Sequence, residues 1–265
     1  MRSERYCGTE GGGMDQAICF LAERHKVDKA ASQKYNERVV ECRLAAQVLA
    51  CYFGEDWKAV RTLRDAQEAG HKTLEEMSMF VKENLHTQSY GIDEICSILK
   101  TTEDELMALS FPPDTYSKNK FELQRRALHV FAEAARVYQF ELFLKQLTDG
   151  TIQLTDDAIE YLGKLMNESH ISCRNLFECS CTELEDLRTF CLSNGAVGCR
   201  LTGAGWGGAT VSIVKEKMLD KFCKNLRYFY KSKGLSDERI AKNMIVSCAG
   251  DGAKITNRKA IHLAI

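Results

Sequence analysis

Proline is nearly missing from this chain: two residues in 265, side by side at Pro112 and Pro113. Helices elsewhere run without its interruption, and the pair marks a stop that opens a polar connector to about Lys118. No uncharged apolar run approaches the ~20 residues a membrane-spanning helix needs, so no membrane span is expected. An excess of one charge is lacking too, because 36 Lys and Arg against 37 Asp and Glu leave a formal net charge of −1. Binders of nucleic acid or acidic membranes usually carry a basic excess or patch, and none is legible. The opening Met1-Arg-Ser-Glu-Arg-Tyr6 is polar and charged. It predicts no signal peptide, hence a cytoplasmic protein with reduced thiols.

Several motifs are absent as well. The 12 cysteines include no C-x-x-C pair, and the six histidines no H-x-x-x-H pair. His170, Cys173, Cys179 and Cys181 form the one cluster. It reads either as a zinc site or as small buried hydrophobes along a helical period. No G-x-S-x-G turn, Walker loop or strand–GxGxxG–helix order occurs. Acyl transfer at a nucleophile elbow and dinucleotide binding therefore have no sequence support, and no metal ligands are assigned.

What is present describes a normal globular core, with 45% hydrophobic and 28% charged residues. From about Gln33 to Leu147 the period is helical. Tyr35, Val39, Cys42, Ala46, Leu49 and Phe53 share one face of a first long helix, with Arg38 and Arg43 read as its solvated side and Arg38 alternatively reaching a polar site. Shorter helices are predicted near 57–69, 74–85, 92–99 and 103–109, with Thr102 and Glu105 spaced as a capping box. A long helix over 121–147 carries two apolar ridges, Leu128–Phe131–Ala135–Tyr138–Leu142 and Leu123–Ala127–Val130–Ala134–Val137, wide enough for deep packing. Helices over 156–177 and 183–193 follow, the second stopped by Asn194-Gly195. The period then changes. Residues 198–202 and 209–214 read as neighbouring antiparallel strands, 218–229 as a helix, and 244–248 as a third strand. The fold class is α+β, mostly helical with a small antiparallel sheet.

Two glycine runs carry the chemistry. Leu201-Thr-Gly-Ala-Gly-Trp-Gly-Gly-Ala-Thr-Val211 places Gly203, Gly205, Gly207 and Gly208 between the two strands. Such a loop can turn amides toward an anion, since glycine reaches positive φ and brings no Cβ. It can equally be a hairpin whose glycines permit close packing. Gly8-Thr-Glu-Gly-Gly-Gly-Met-Asp-Gln16 ends in one carboxylate, Asp15. That group either takes a proton from a substrate hydroxyl or caps a turn.

Glu4-Arg-Tyr6 with the Gly8–Gln16 run resembles the catalytic-aspartate segment of galactokinase-type sugar kinases, within the GHMP kinase superfamily. Leu201-Thr-Gly-Ala-Gly-Trp-Gly-Gly208 resembles that family's third glycine motif. Its Ala-Gly-Trp form is closer to N-acetylgalactosamine kinases and fungal galactokinases than to bacterial enzymes. Lys29-Ala-Ala-Ser32, Asn36-Glu-Arg-Val-Val-Glu-Cys-Arg43, Ala132-Glu-Ala-Ala-Arg136 and Asn167-Glu-Ser-His-Ile-Ser-Cys-Arg174 extend the match. The resemblance implies γ-phosphoryl transfer from Mg-ATP to the anomeric hydroxyl of galactose or N-acetylgalactosamine. It implies Asp15 as the catalytic residue, Gly12, Gly13 and Asp15 at the sugar, and Lys29, Gly203, Gly205, Gly207 and Gly208 at the nucleotide. It also implies a division into a remnant of the N-terminal domain over 1–28 and the family's C-terminal domain over 29–265.

The departures from the family are specific. Its Arg and Gly-Glu-His-x-Asp motif, which grips the sugar, does not occur, nor does its glycine- and serine-rich phosphate loop; both would lie upstream of Met1. Between Leu21 and Lys29 only Ala-Glu-Arg-His-Lys-Val-Asp remains of a longer family segment. Phosphoryl transfer is mostly positioning and charge stabilisation. The expectation is therefore a truncated form with impaired catalysis, or else a non-catalytic binding or regulatory protein. Apolar surface left exposed by the missing segments implies either impaired folding or a protein partner that covers it.

Overall fold

A computed structural model describes residues 33–112 and 119–247, together with the backbone of 17–21. Asp15, Gly12, Gly13 and Lys29 lie outside these described residues, as does the connector after Pro112.

The first layer is helical. Helix α1 (Gln33–Tyr52) runs through its centre and is buried all round from Leu44 to Ala50. Around it pack α2 (Leu63–Gly70), α3 (Leu74–Asn84), α4 (Ile92–Leu99), α5 (Glu103–Ser110) and the first half of α6 (Leu123–Thr148). A two-residue ladder between β2 (Tyr90–Gly91) and β3 (Lys120–Phe121) closes the layer. Full capping boxes start α2 at Thr62 and α3 at Thr73. Thr102 accepts from the Glu105 amide as its spacing predicts. The Glu105 carboxylate, however, goes to Lys58 Nζ at 2.6 Å and Thr101 Oγ1 at 2.5 Å, leaving half a box.

Both long helices depart from their predicted stripes. Tyr35 and Val39 of α1 are 38% and 36% exposed, whereas Arg38 and Glu41 are buried. The helix turns an ion-paired face inward at that end, so Arg38 is not on a solvated side. On α6, Leu123, Ala127 and Phe131 are buried, but Tyr138 and Leu142 are 54% and 58% exposed. Beyond the first layer α6 presents a different face, Phe140, Phe143, Leu144 and Leu147, to the sheet layer. A single periodic stripe cannot register a helix that serves two cores in succession.

The second layer is a four-stranded antiparallel sheet in the order β4-β5-β1-β6. Its strands are β1 (Ala17–Leu21), β4 (Ala196–Thr202), β5 (Ala209–Val214) and β6 (Met244–Ser247). Helices α7 (Asp156–Ser172), α8 (Thr182–Ser193) and α9 (Leu219–Ser232) pack with it, and α10 (Asp237–Asn243) leads into β6. Helix α7 meets β4 backbone to backbone: a Cβ on Gly163 would stand 2.4 Å from Val197 O, and one on Gly198 2.6 Å from Gly163 Cα.

That approach lets side chains complete the outer edge of β4. Asn167 donates to Val197 O at 3.0 Å and accepts from Cys199 N at 3.1 Å. His170 Nδ1 accepts from Leu201 N at 3.1 Å. Arg188 donates to Cys199 O at 3.1 Å and Arg200 to Leu201 O at 3.0 Å. The edge strand has no need of a neighbour because amide, imidazole and guanidinium groups replace one. Asn167→Ala orphans one donor and one acceptor, so it is expected to cost about 2–4 kcal/mol in urea denaturation.

His129 of α6 is buried beside Ser172 Oγ, 2.9 Å from its Nδ1, with its ring 4.5 Å from that of Phe177. Burial, the largest influence, pushes its pKa from 6.5 down to about 4. The unfolded chain takes up this proton near pH 6.5 and the folded chain only near 4. Folding stability therefore falls as pH drops through that window, by about 1.4 kcal/mol per pH unit. Urea midpoints from pH 7 to 4.5 should show that slope, and His129→Gln should flatten it; an unchanged slope in the variant would place the titrating group elsewhere.

Candidate functional site

The 203–208 loop joins β4 to β5, so it sits between antiparallel strands and not at a helix N-terminus. Gly203, Gly205, Trp206, Gly207 and Gly208 all hold positive φ, at 83°, 85°, 53°, 135° and 92°. Trp206 is not a glycine, so its left-handed conformation is held from outside. Its amide donates to Cys179 O at 2.6 Å and its indole Nε1 to Glu178 O at 3.0 Å. The Arg38 guanidinium lies 5.9 Å from the centre of its ring, within cation–π range.

The two readings of the glycine loop divide between its residues. Gly205 is a packing glycine: an added Cβ would meet Cys179 O at 2.1 Å. Among the described residues Gly203, Gly207 and Gly208 face open space, with nothing within 4 Å of an added Cβ. Their backbone is thus open to an approaching group on one side, while the other side is pinned. The amides of Gly207 and Gly208 meet no acceptor among the described residues. Bare amides beside open space can receive an anion.

The pinning segment is a π-turn, Cys173–Phe177, that ends α7 with Glu178 at φ 56°. Three arginines cap its last carbonyls. Arg125 Nη2 donates to Asn175 O, Arg126 Nη1 to Leu176 O, and Arg38 Nε to Phe177 O. Cations at a helix C-terminus satisfy orphan carbonyls and oppose the helix dipole. Two carboxylates offset most of the charge. Glu41, fully buried, receives Arg126 Nε at 2.7 Å, Arg38 Nη1 at 3.1 Å and the Glu122 amide at 3.1 Å. Glu178 receives Arg126 Nη2 at 2.7 Å and pairs with Arg125 at 3.0 Å. Burial works to raise the Glu41 pKa, but Arg126, the Glu122 amide and Arg38 together hold it below its usual value.

The zinc alternative is not assembled. Both ring nitrogens of His170 are committed, Nδ1 to Leu201 N and Nε2 to Glu185 at 2.7 Å. Among the described residues no group of three or more His, Cys, Asp or Glu is placed to hold a metal.

Residues 153–232 match the family model described as GHMP kinases C terminal. This span runs from just ahead of α7 to the end of α9 and contains the loop with its pinning turn. The galactokinase of Dictyostelium discoideum is 38% identical over 91% of this chain and 57% of its own length. The chain is a galactokinase homologue with a GHMP kinase C-terminal domain. The Saccharomyces cerevisiae galactokinase is 28% identical over 92% of the chain and 59% of its own length. In fold, the chain is similar to Lactococcus lactis galactokinase, solved with galactose. That likeness has a TM-score of 0.52 and 21% identity, over 91% of this chain and 46% of that one. The galactokinase homologue therefore spans less than two thirds of these relatives' length.

In this galactokinase homologue Gly203, Gly205, Gly207 and Gly208 stand together in the loop. Gly12, Gly13, Asp15 and Lys29 fall outside the described residues. The register sets Leu21 against Ala209, at the loop end of the sheet, and Ala17 against Ile213, at the other. Ala17, which follows the Asp15 run, is four residues or about 13 Å from the loop end along β1. Glu178 and the loop-holding role of Cys179 escaped the sequence, which offered Cys179 only as a zinc ligand or a buried hydrophobe and the inward role of Arg38 only as a lesser alternative. The Arg38–Glu41 spacing was the one available signal for the last.

Gly205→Ala is expected to cost about 2–5 kcal/mol, from backbone strain together with overpacking against Cys179. Gly203→Ala, strained but unobstructed, should cost only about 1–2 kcal/mol. Equal losses in chemical denaturation would contradict the packing assignment of Gly205.

Proposed function

We propose that this galactokinase homologue belongs to the ATP-dependent sugar 1-kinases. The reaction is transfer of the γ-phosphoryl group of ATP to the anomeric hydroxyl of galactose or N-acetylgalactosamine. The observation that carries this reading is the 38% identity to a galactokinase over 91% of the chain. Asp15 is assigned as the acceptor of the hydroxyl proton, which sharpens the attacking oxygen. Gly12 and Gly13 keep the backbone beside the sugar free of side chains. Lys29 lies toward the base, and the 203–208 loop supports the phosphates. The open side of Gly203, Gly207 and Gly208 fits a phosphate's approach. Mg is assigned only as the ion that accompanies ATP. No cluster of carboxylates among the described residues suits it, so no step is routed through it.

Residues 1–28 are proposed as the remnant of an N-terminal domain and 29–265 as the C-terminal domain, acting in the cytoplasm. Catalysis by these 265 residues alone is proposed to be impaired. Neither Gly-Glu-His-x-Asp nor the glycine- and serine-rich phosphate loop occurs among them. The same absence favours a second reading, a non-catalytic sugar-kinase-like binding or regulatory protein. Exposed Tyr138 and Leu142 on α6, and Ile245 and Val246 on β6, are the apolar surface a protein partner would cover.

The test is ADP release by the purified chain with Mg-ATP and either sugar, beside Asp15→Asn. Turnover is expected at least ~100-fold below that of the Dictyostelium galactokinase, the scale of loss when transition-state donors are removed. Asp15→Asn should abolish the remainder. Turnover matching the relative would overturn the impairment, and turnover independent of sugar would overturn the kinase assignment. A folded sample with no turnover would favour the second reading.

A further inference from the structure

Two thiols that phosphoryl transfer does not use lie directly beneath the glycine loop. Cys173 and Cys179 are 5% and 3% exposed and bracket the π-turn. The Cys173 carbonyl accepts the Glu178 amide, the Cys179 amide at 3.1 Å and the Cys179 thiol at 3.6 Å. The 3.1 Å backbone bond holds the two residues side by side across the turn. A disulfide needs such close approach, with Cα atoms ~4.4–6.8 Å apart. The Cys179 thiol is turned toward Cys173. The neighbouring Cys179, with Arg200 and Arg136 nearby, draws Cys173 toward its thiolate. Cys179, the donor, is pushed the other way. One sulfur is thus poised to attack and the other to resolve.

Cys179 is also the residue that holds the loop. Its carbonyl takes the Trp206 amide at 2.6 Å, and Gly205 lies against it. A movement of Cys179 cannot leave the loop where it is.

We propose that Cys173 and Cys179 form a dithiol–disulfide site whose co-substrate is a low-molecular-weight disulfide, and that its oxidation repositions the glycine loop. The Cys173 thiolate attacks one sulfur of the small disulfide; its S–S bond breaks and one small thiolate leaves. Cys179 then loses its proton and attacks the Cys173 sulfur of the mixed disulfide, expelling the second small thiolate. The protein loses two electrons and two protons, and one small disulfide becomes two thiols. The thiol-to-carbonyl bond of Cys179 disappears, and its backbone adjusts to the new S–S bond.

Oxidised glutathione is the probe, applied to the full folded chain, with no reliance on kinase activity. Trypsin cuts after Arg174, between the two cysteines. A Cys173–Cys179 bridge therefore joins two peptides that separate on reduction, and Cys181→Ser removes the neighbouring thiol from the assignment. With Trp57→Phe, Trp206 remains the chain's single tryptophan, because the sequence holds two. The expected result is the loss of two hydrogens, the 173–179 crosslink, and a shift in Trp206 emission that dithiothreitol reverses. Cys173→Ser and Cys179→Ser should each abolish all three, and either variant suffices if the other fails to fold. A persistent glutathione adduct without the crosslink would overturn the intramolecular bridge. Crosslinking to another cysteine, or oxidation only in urea, would overturn the site. A crosslink with unchanged Trp206 emission would overturn its coupling to the loop.

Discussion

The structure turns on the arginine cap of the π-turn. Arg38, Arg125 and Arg126 come from α1 and α6 of the helical layer, while the carbonyls they cap belong to the end of α7 in the sheet layer. Burying Arg126 and Glu41 completely carries a desolvation cost of several kcal/mol per ion. The cost is offset only because each buried polar atom finds a partner: Arg126 reaches Glu41, Leu176 O and Glu178 at once. Such an arrangement tolerates few alternatives. It sets how the two layers meet and orients the carbonyls of Glu178 and Cys179 toward the loop.

The glycine loop then inherits its shape from two sides. Its strands are fixed by the ladder between β4 and β5, whose outer edge is completed by Asn167, His170, Arg188 and Arg200. Its tip is fixed by Trp206, which is drawn onto the turn through both its amide and its indole. Left-handed backbone at Trp206 persists because these contacts outweigh its intrinsic cost of about 1–2 kcal/mol. The open glycines are therefore preorganised, and a ligand arriving there need not order them.

This division of labour suits a domain that supports chemistry more than it performs it. The described residues supply a rigid platform, one exposed stretch of backbone and a buried dithiol. The proton acceptor and the sugar contacts proposed for this galactokinase homologue are drawn from the Gly8–Gln16 run. The phosphate loop and sugar-gripping motif of the family do not occur in the sequence. Arg38, Arg125 and Arg126 are turned onto the domain's own carbonyls.

Local chemistry was legible in the residues themselves. Three of the four short helices, the stop at Asn194-Gly195, the antiparallel pair around the glycines and the family resemblance follow from periodicity, glycine placement and motif, which neighbouring residues carry. The helix expected near 57–69 is instead a 3-10 turn at Trp57–Ala59 and then α2, because extended backbone through the Thr62 cap starts a new helix. Strand β1, Ala-Ile-Cys-Phe-Leu, escaped because five apolar residues have no period of their own. The long helices were legible as helices but not in orientation, since α6 faces two cores and α1 buries an ion pair. Arg38 read as solvated because its acceptor, Phe177 O, lies 139 residues away. Sequence by itself determined most of the helices and the strand pair around the glycines, where glycine permits left-handed backbone, and which family the chain resembles. Tertiary structure alone decided which glycine packs and which three stand open. That choice depends on the Cys179 carbonyl, brought beneath the loop by long-range ionic contacts that no local pattern records.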